Sequence, residues 1–167
     1  GLEKKIYTPA TLFSDEPFES VKEGRIYAPE NYDKQNRGEK IPLRHALGAS
    51  LNLPAVRALD RIGGEAYLDL LKKLGFKTEN DPEFYGLSLA LGTLDASLFE
   101  VVRAFAGIAR GGVNRELLGE KTKPANSGSR FFSKETSFLL SSILSDASAR
   151  RWSFGWESPL QTSSFSA

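Results

Sequence analysis

The sequence of 167 residues contains no cysteine, no methionine and a single histidine. Without cysteine there are no disulfides, no thiol nucleophile and no thiolate metal site. His45 alone cannot build a histidine metal cluster, and a Ser–His–Asp arrangement would have to use it. It falls in a predicted helix beside Arg44 with no neighbouring carboxylate, which suits a packed or solvent-facing ring better than a catalytic one. An excess of one charge is also lacking. The 22 Lys and Arg against 21 Asp and Glu leave a formal net charge of +1, so nothing electrostatic points to nucleic acid or a membrane surface. No long apolar run is present, so this segment is expected to make no membrane contact, and any anchor is expected elsewhere. No cofactor motif is found: Gly111-Gly112 lacks the Lys-Ser/Thr of a phosphate loop. A sequence without Met is expected not to begin at a native start, with Gly1 a cut site or cloning scar.

What is present is one domain's worth of a globular composition, 40% hydrophobic and 26% charged. Its most informative stretch is Leu43 to Arg57, LRHALGASLNLPAVR. Leu43, Ala46 and Leu47 give an i, i+3, i+4 apolar face, preceded by Pro42 in a position suited to a first helical turn. Pro54 disfavours the helical region at Leu53, which predicts a break near Ser50 and a second helix beginning at Pro54, with Val56, Leu59 and Ile62 on its apolar face. An extended break would send Ser50 and Asn52 to one side and Leu51 to the other, into the core. A hydroxyl and a carboxamide so placed suit proton relay and substrate orientation. Ser and Asn are equally favoured as helix caps, and on the triplet alone capping is the commoner role.

Residues 1–40 are rich in Pro, Gly, Asn, Asp and Tyr and read as an extended arm with turns at Glu23-Gly24 and Asn36-Arg37-Gly38, and with Ile26-Tyr27-Ala28 as a short strand. Tyr7, Tyr27 and Tyr32 are expected to pack against the helices. Residues 41–112 read as a helical lobe. In it Tyr67, Leu70, Leu71 and Leu74 form one apolar stripe closed by Gly75, with Lys72 and Lys73 complementing the helix dipole. Thr78 to Phe84 is a polar loop, and Gly86 to Gly92 a buried strand or tight connector. Ser97 and Glu100 form a capping box before a helix whose buried face is predicted at Leu98, Val101, Val102, Phe105 and Ile108. Residues 113–131 read as a polar loop, 132–148 as a helix capped by Ser133, and 149–167 as a polar lead into a further strand, with Arg150 and Arg151 packing locally on Trp152 and Trp156.

Several of these stretches occur in an order that resembles the transpeptidase domain of class A penicillin-binding proteins, the 1C branch being most similar. They are Thr8-Pro9-Ala10-Thr11, then Tyr27-Ala28-Pro29-Glu30-Asn31-Tyr32-Asp33 with Gly38, then Ser50-Leu51-Asn52. Tyr85 to Gly92 follows, then Ile143 to Asp146 with Arg150, Phe154-Gly155 and Ser158-Pro159-Leu160. The family's signature set is S-x-x-K, S-x-N and K-T-G. Only S-x-N is present, as Ser50 and Asn52; Lys121-Thr122-Lys123 is not a K-T-G.

The resemblance implies a mainly α chain with short strands, an incomplete helical lobe of the α/β serine transpeptidase or β-lactamase-like fold. S-x-x-K is then expected upstream of Gly1 and K-T-G just beyond Ala167. It implies a serine D-Ala-D-Ala transpeptidase of the bacterial cell envelope, on the periplasmic or extracytoplasmic side, with a membrane-anchored, bifunctional parent that also carries a glycosyltransferase domain. The implied partners are peptidoglycan stem peptides and β-lactam antibiotics, with no cofactor and no metal. The catalytic residues carried over are Ser50 and Asn52, and the fragment alone is expected to be inactive. The alternatives are a non-catalytic binding or scaffold module of the same fold, a serine β-lactamase-like hydrolase, and an unrelated helical interaction domain without a cleft at Ser50.

Overall fold

The computed structural model describes residues 1–22, 25–78, 81–116 and 128–158. The expected turn at Glu23-Gly24, the middle of the polar excursion and the lead from Pro159 to Ala167 lie outside the described residues. The architecture is mainly α, with three two-stranded antiparallel pairings. The arm carries β1 (Leu12–Phe13), β2 (Ser20–Lys22) and β3 (Arg25–Tyr27), and β4 (Ile41–Pro42) leads into the helices. β1 pairs with β4, Phe13 opposite Ile41, and β2 pairs with β3. The helices are α1 (Leu43–Gly48), α2 (Asn52–Ile62), α3 (Gly64–Leu74), α4 (Pro82–Tyr85), α5 (Leu98–Ala109), α6 (Lys134–Ser145) and α7 (Ala147–Phe154). β5 (Val113–Asn114) pairs with β6 (Ser129–Arg130) between α5 and α6.

The core has two centres. Ile41, Ala46, Ala49 and Leu51 form one, closed by Trp152 of α7. Leu59, Leu68, Leu71 and Leu89 form the other, between α2, α3 and the turn that follows α4. α2 bridges them, with Leu53, Val56 and Leu59 all buried. The arm is tied down along its length. Glu3 accepts the Ser133 N–H at the start of α6 (3.0 Å), the Tyr7 hydroxyl donates to the Ala58 carbonyl (2.9 Å), and Phe13 is fully buried.

Local chemistry sets most helix ends where the sequence signals them. Ser97 and Glu100 form the expected capping box on α5, and Ser133 Oγ accepts the Thr136 N–H (3.1 Å) on α6. Gly75 ends α3 in the left-handed conformation. Several elements differ from expectation. α2 starts two residues before Pro54, because a helix's first turn has no internal use for its N–H groups and so tolerates proline there. Of the two alternatives for Gly86 to Gly92, the tight connector is found, as a 3₁₀ turn over Gly86 to Leu91, and Pro82 in the expected loop opens the short α4. α6 ends at Ser145, and Asp146 behind it opens a further helix, capping α7 by accepting the Ser148 N–H (2.8 Å). The polar loop is closed at its base by the β5–β6 pairing.

A further difference concerns α5. Leu98, Val101, Val102 and Phe105, predicted to be its buried face, are exposed, and only Gly107 of this helix is buried. The helix approaches its neighbours through small residues instead. A Cβ on Gly107 would lie 2.6 Å from the Phe131 ring. Periodicity identifies an apolar face; it does not identify what covers that face.

Candidate active site

α1 ends in a paired hydrogen-bond closure. The Leu51 N–H reaches back to the Ala46 carbonyl (2.9 Å) and the Ser50 N–H to the Leu47 carbonyl (3.1 Å), the pattern of a Schellman motif. That motif needs a left-handed residue at the position Ser50 occupies. Its φ is +55°, in a place where glycine is the ordinary choice. A serine held there bears about 1–2 kcal/mol of backbone strain. Its side chain is exposed, and no hydrogen bond to its Oγ occurs among the described residues. The next residue turns inward: Leu51 is 3% exposed and belongs to the core cluster with Ile41, Ala46 and Ala49. The chain therefore alternates, with Ser50 and Asn52 lining the same depressions and Leu51 anchoring the turn between them.

Neither polar residue caps a helix. The N-cap of α2 is Leu51, with no side-chain cap bond. The Asn52 backbone N–H, the first unpaired donor of α2, is taken by Asn31 Oδ1 (2.8 Å). The Asn52 side chain points to the arm, Nδ2 donating to the Glu30 carbonyl (2.7 Å). Asn31 is buried and held in turn by Asp15. Asn31 Nδ2 donates to Asp15 Oδ1 (2.8 Å) and to the Gln35 carbonyl (2.9 Å). Asp15 is fully buried, and its Oδ2 accepts the Arg37 N–H (2.9 Å). Asn31 was quoted in the sequence only as part of the arm's Pro-Glu-Asn-Tyr-Asp stretch, and Asp15 carried no sequence signal. Nothing short of the folded arm brings either to the break between α1 and α2.

Ser50 and Asn52 stand between two adjoining clefts. One, of about 450 Å³, is apolar and runs along α1 and α2 to Ala90 and Leu91 of the 3₁₀ turn. The other, of about 440 Å³, is more polar and is bordered by Tyr32, Asp33, Ser153 and Phe154. Tyr32, expected to pack against the helices, is completely exposed at that rim. Asp33 is bound by the Arg37 guanidinium and by the Gln35 N–H, which hold its carboxyl at about 2, against an ordinary 3.8. Arg37 also reaches the Trp152 carbonyl (3.3 Å), stitching the arm to α7. His45 is packed, its ring centroid 5.2 Å from that of Trp152, and its buried Nδ1 has no hydrogen-bond partner among the described residues. Arg150 and Arg151 are structural as well: Arg150 donates to the Leu144 carbonyl (3.1 Å), and Arg151 lies 5.3 Å over the Trp156 ring. Among the described residues no three acidic or histidine side chains converge as metal ligands, and no helix is long and apolar enough to cross a membrane.

Comparison with known proteins matches residues 1–153 to the penicillin binding protein transpeptidase domain. The penicillin-binding protein 1A of Aquifex aeolicus is 34% identical over 111 residues, covering 66% of this chain and 14% of that protein. The penicillin-binding protein 1F of Bacillus subtilis is 31% identical over 156 residues, covering 86% of this chain and 21% of that protein. The chain thus spans a minor part of the curated relatives it matches. Among solved structures, penicillin-binding protein 1A from Haemophilus influenzae superposes with a TM-score of 0.70 at 24% identity, over 86% of this chain and 27% of that one. A peptidoglycan glycosyltransferase from Burkholderia ambifaria gives a TM-score of 0.68 at 16% identity. The fold is therefore that of these transpeptidase domains, and the chain belongs to the penicillin-binding protein transpeptidase family.

Proposed function

We propose that this chain is the S-x-N-bearing segment of a serine D-Ala-D-Ala transpeptidase that cross-links peptidoglycan stem peptides at the bacterial cell envelope. In the complete enzyme a serine from an S-x-x-K motif outside these residues attacks the carbonyl carbon before the terminal D-alanine. The C–N bond breaks, an acyl-enzyme forms, and D-alanine leaves with the proton on its nitrogen. An acceptor amine then attacks the ester and regenerates the serine. Ser50 Oγ relays the proton to the leaving nitrogen, and the Asn52 carboxamide holds the donor peptide and the catalytic lysine. β-Lactams acylate the same nucleophile. By the resemblance in sequence, the parent also carries a glycosyltransferase domain and a membrane anchor.

The observation that carries this reading is the conformation of Ser50. A non-glycine residue is kept left-handed at a helix break, with a hydroxyl that serves no cap and faces a cleft beside Asn52. Strain maintained at an exposed polar side chain is accounted for by use of that side chain. A labelled penicillin tests the assignment. The 167-residue chain should form no covalent adduct by mass spectrometry, whereas the complete polypeptide should acylate and should slow about 100- to 10,000-fold on Ser50→Ala. A stoichiometric adduct on Ser50 in the chain alone would make Ser50 the nucleophile and overturn the relay assignment.

A further inference from the structure

We propose that Asn31, locked by the buried Asp15 carboxylate, is the positioning residue for Asn52, setting which way the Asn52 carboxamide faces and holding it there through the reaction. The proposal rests on the transpeptidase reading of the site. Its evidence is a chain of hydrogen bonds in which every donor and acceptor is chemically forced. A backbone N–H only donates, and a carboxylate or carbonyl only accepts. The Asn52 N–H therefore requires oxygen at Asn31 Oδ1, while Asp15 Oδ1 and the Gln35 carbonyl require nitrogen at Asn31 Nδ2. Turning this amide over would set all three contacts donor against donor or acceptor against acceptor. Asn31 is 4% exposed and Asp15 is fully buried, so water is not at hand to repair such a mismatch.

The lock acts directly on Asn52. Two successive arm residues grip it, Asn31 through its backbone N–H and Glu30 through its side-chain Nδ2 (2.7 Å). The Glu30 carbonyl again forces the assignment: Nδ2 is turned to the arm, and among the described residues Oδ1 and the second N–H of the carboxamide take no other partner. A free asparagine at a helix start samples several rotamers, and a productive geometry would select among them each time. Here the arm has made that selection beforehand, the kind of preorganisation that a misplacement of about 1 Å can degrade by roughly 100-fold. A helix start can be capped by a neighbouring Ser or Asp. In this chain the first donor of α2 is instead satisfied from 21 residues away.

The test is made in the complete transpeptidase polypeptide, with a fluorescent penicillin, following acylation rate against pH and thermal unfolding in parallel. Asn31→Asp keeps an oxygen for the Asn52 N–H but sets two carboxylates against each other, so acylation at neutral pH should fall about 100-fold. It should recover as pH is lowered and one shared proton restores a donor between them. Adding Asp15→Asn exchanges donor and acceptor and should bring the rate at neutral pH back to within a few-fold of the parent. Parental acylation by Asn31→Asp while Ser50→Ala is slow would overturn the positioning role and leave the reading of the site intact. A slow Asn31→Asp that neither acid nor the exchanged pair restores would reduce Asn31 to a fold-holding residue. Parental rates in both Asn31→Asp and Ser50→Ala would remove the transpeptidase reading and the proposal with it. Should Asn31→Asp not fold, amide exchange in the unmodified polypeptide decides: the Asn52 N–H should be protected, and rapid exchange there sinks the proposal.

Discussion

Replacing Ser50 with glycine should make the protein more stable and less active at once. The Ser50 backbone lies at φ +55°, fixed by the bonds from the Ser50 N–H to Leu47 and from the Leu51 N–H to Ala46. A Cβ in that region costs about 1–2 kcal/mol, which Ser50→Gly removes. The added freedom of glycine in the unfolded chain returns roughly 0.4–1 kcal/mol of that gain. Among the described residues the exposed hydroxyl makes no hydrogen bond to subtract, so the net stabilisation should be about 0.5–1 kcal/mol. For a domain of this size that is roughly 1–4 °C in melting temperature. Ser50→Ala keeps the Cβ and so the strain, and should melt close to the parent. Both variants lose the hydroxyl, and in the complete polypeptide both should acylate a labelled penicillin about 100-fold or more slowly. Leu51→Ala gives the contrasting pattern, losing about 2–5 kcal/mol because a leucine 3% exposed leaves a cavity between α1 and its neighbours. Differential scanning calorimetry with an acylation time course on the three variants decides the matter. A Ser50→Gly variant that melts below the parent, or that acylates at the parental rate, would refute the account of Ser50 as a strained functional residue.

Two further outcomes follow from the packing. Gly48→Ala should destabilise by about 1–3 kcal/mol in a thermal melt, since its new Cβ would lie 2.6 Å from the Ala149 Cβ and 2.9 Å from the Ala149 backbone, where α1 meets α7. The Asp146 carboxyl is held at about 2, below its ordinary 3.8, chiefly by the Ser148 hydroxyl and then by the Arg44 guanidinium, which lies 2.8 Å away. Its contribution is therefore complete above pH 3.8 and disappears as pH falls towards about 2, so Asp146→Asn should flatten the acid limb of a urea-midpoint profile across that window.

The helix ends were readable because they depend on residues within one turn of each other. Ser97 with Glu100, Ser133 with Thr136, and Gly75 behind the α3 stripe each satisfy local donors or acceptors, and the structure reproduces them. The start of α2 departs from the local rule because Leu53, although followed by proline, lies in the first helical turn, where the restriction is relaxed. Asp146 ends one helix, and its carboxylate opens the next.

The inward turn of Leu51 was legible in the sequence, an apolar residue between two polar ones at a helix break, but it was expected from an extended break, whereas Ser50 is left-handed and Asn52 already helical. The sequence also determined that these residues supply no thiol, since cysteine is absent, and that His45 is their single imidazole. Tertiary structure alone decided the rest of the site. The capping alternative for Ser50 and Asn52 was ruled out by backbone geometry and by hydrogen bonds to Glu30 and Asn31, more than 20 residues away. It also decided that α5 leaves its apolar face uncovered while Gly107 meets Phe131. Asp15 came to lie beneath Asn31 only because the arm folds back on α2, a closure whose entropic cost no local pattern records.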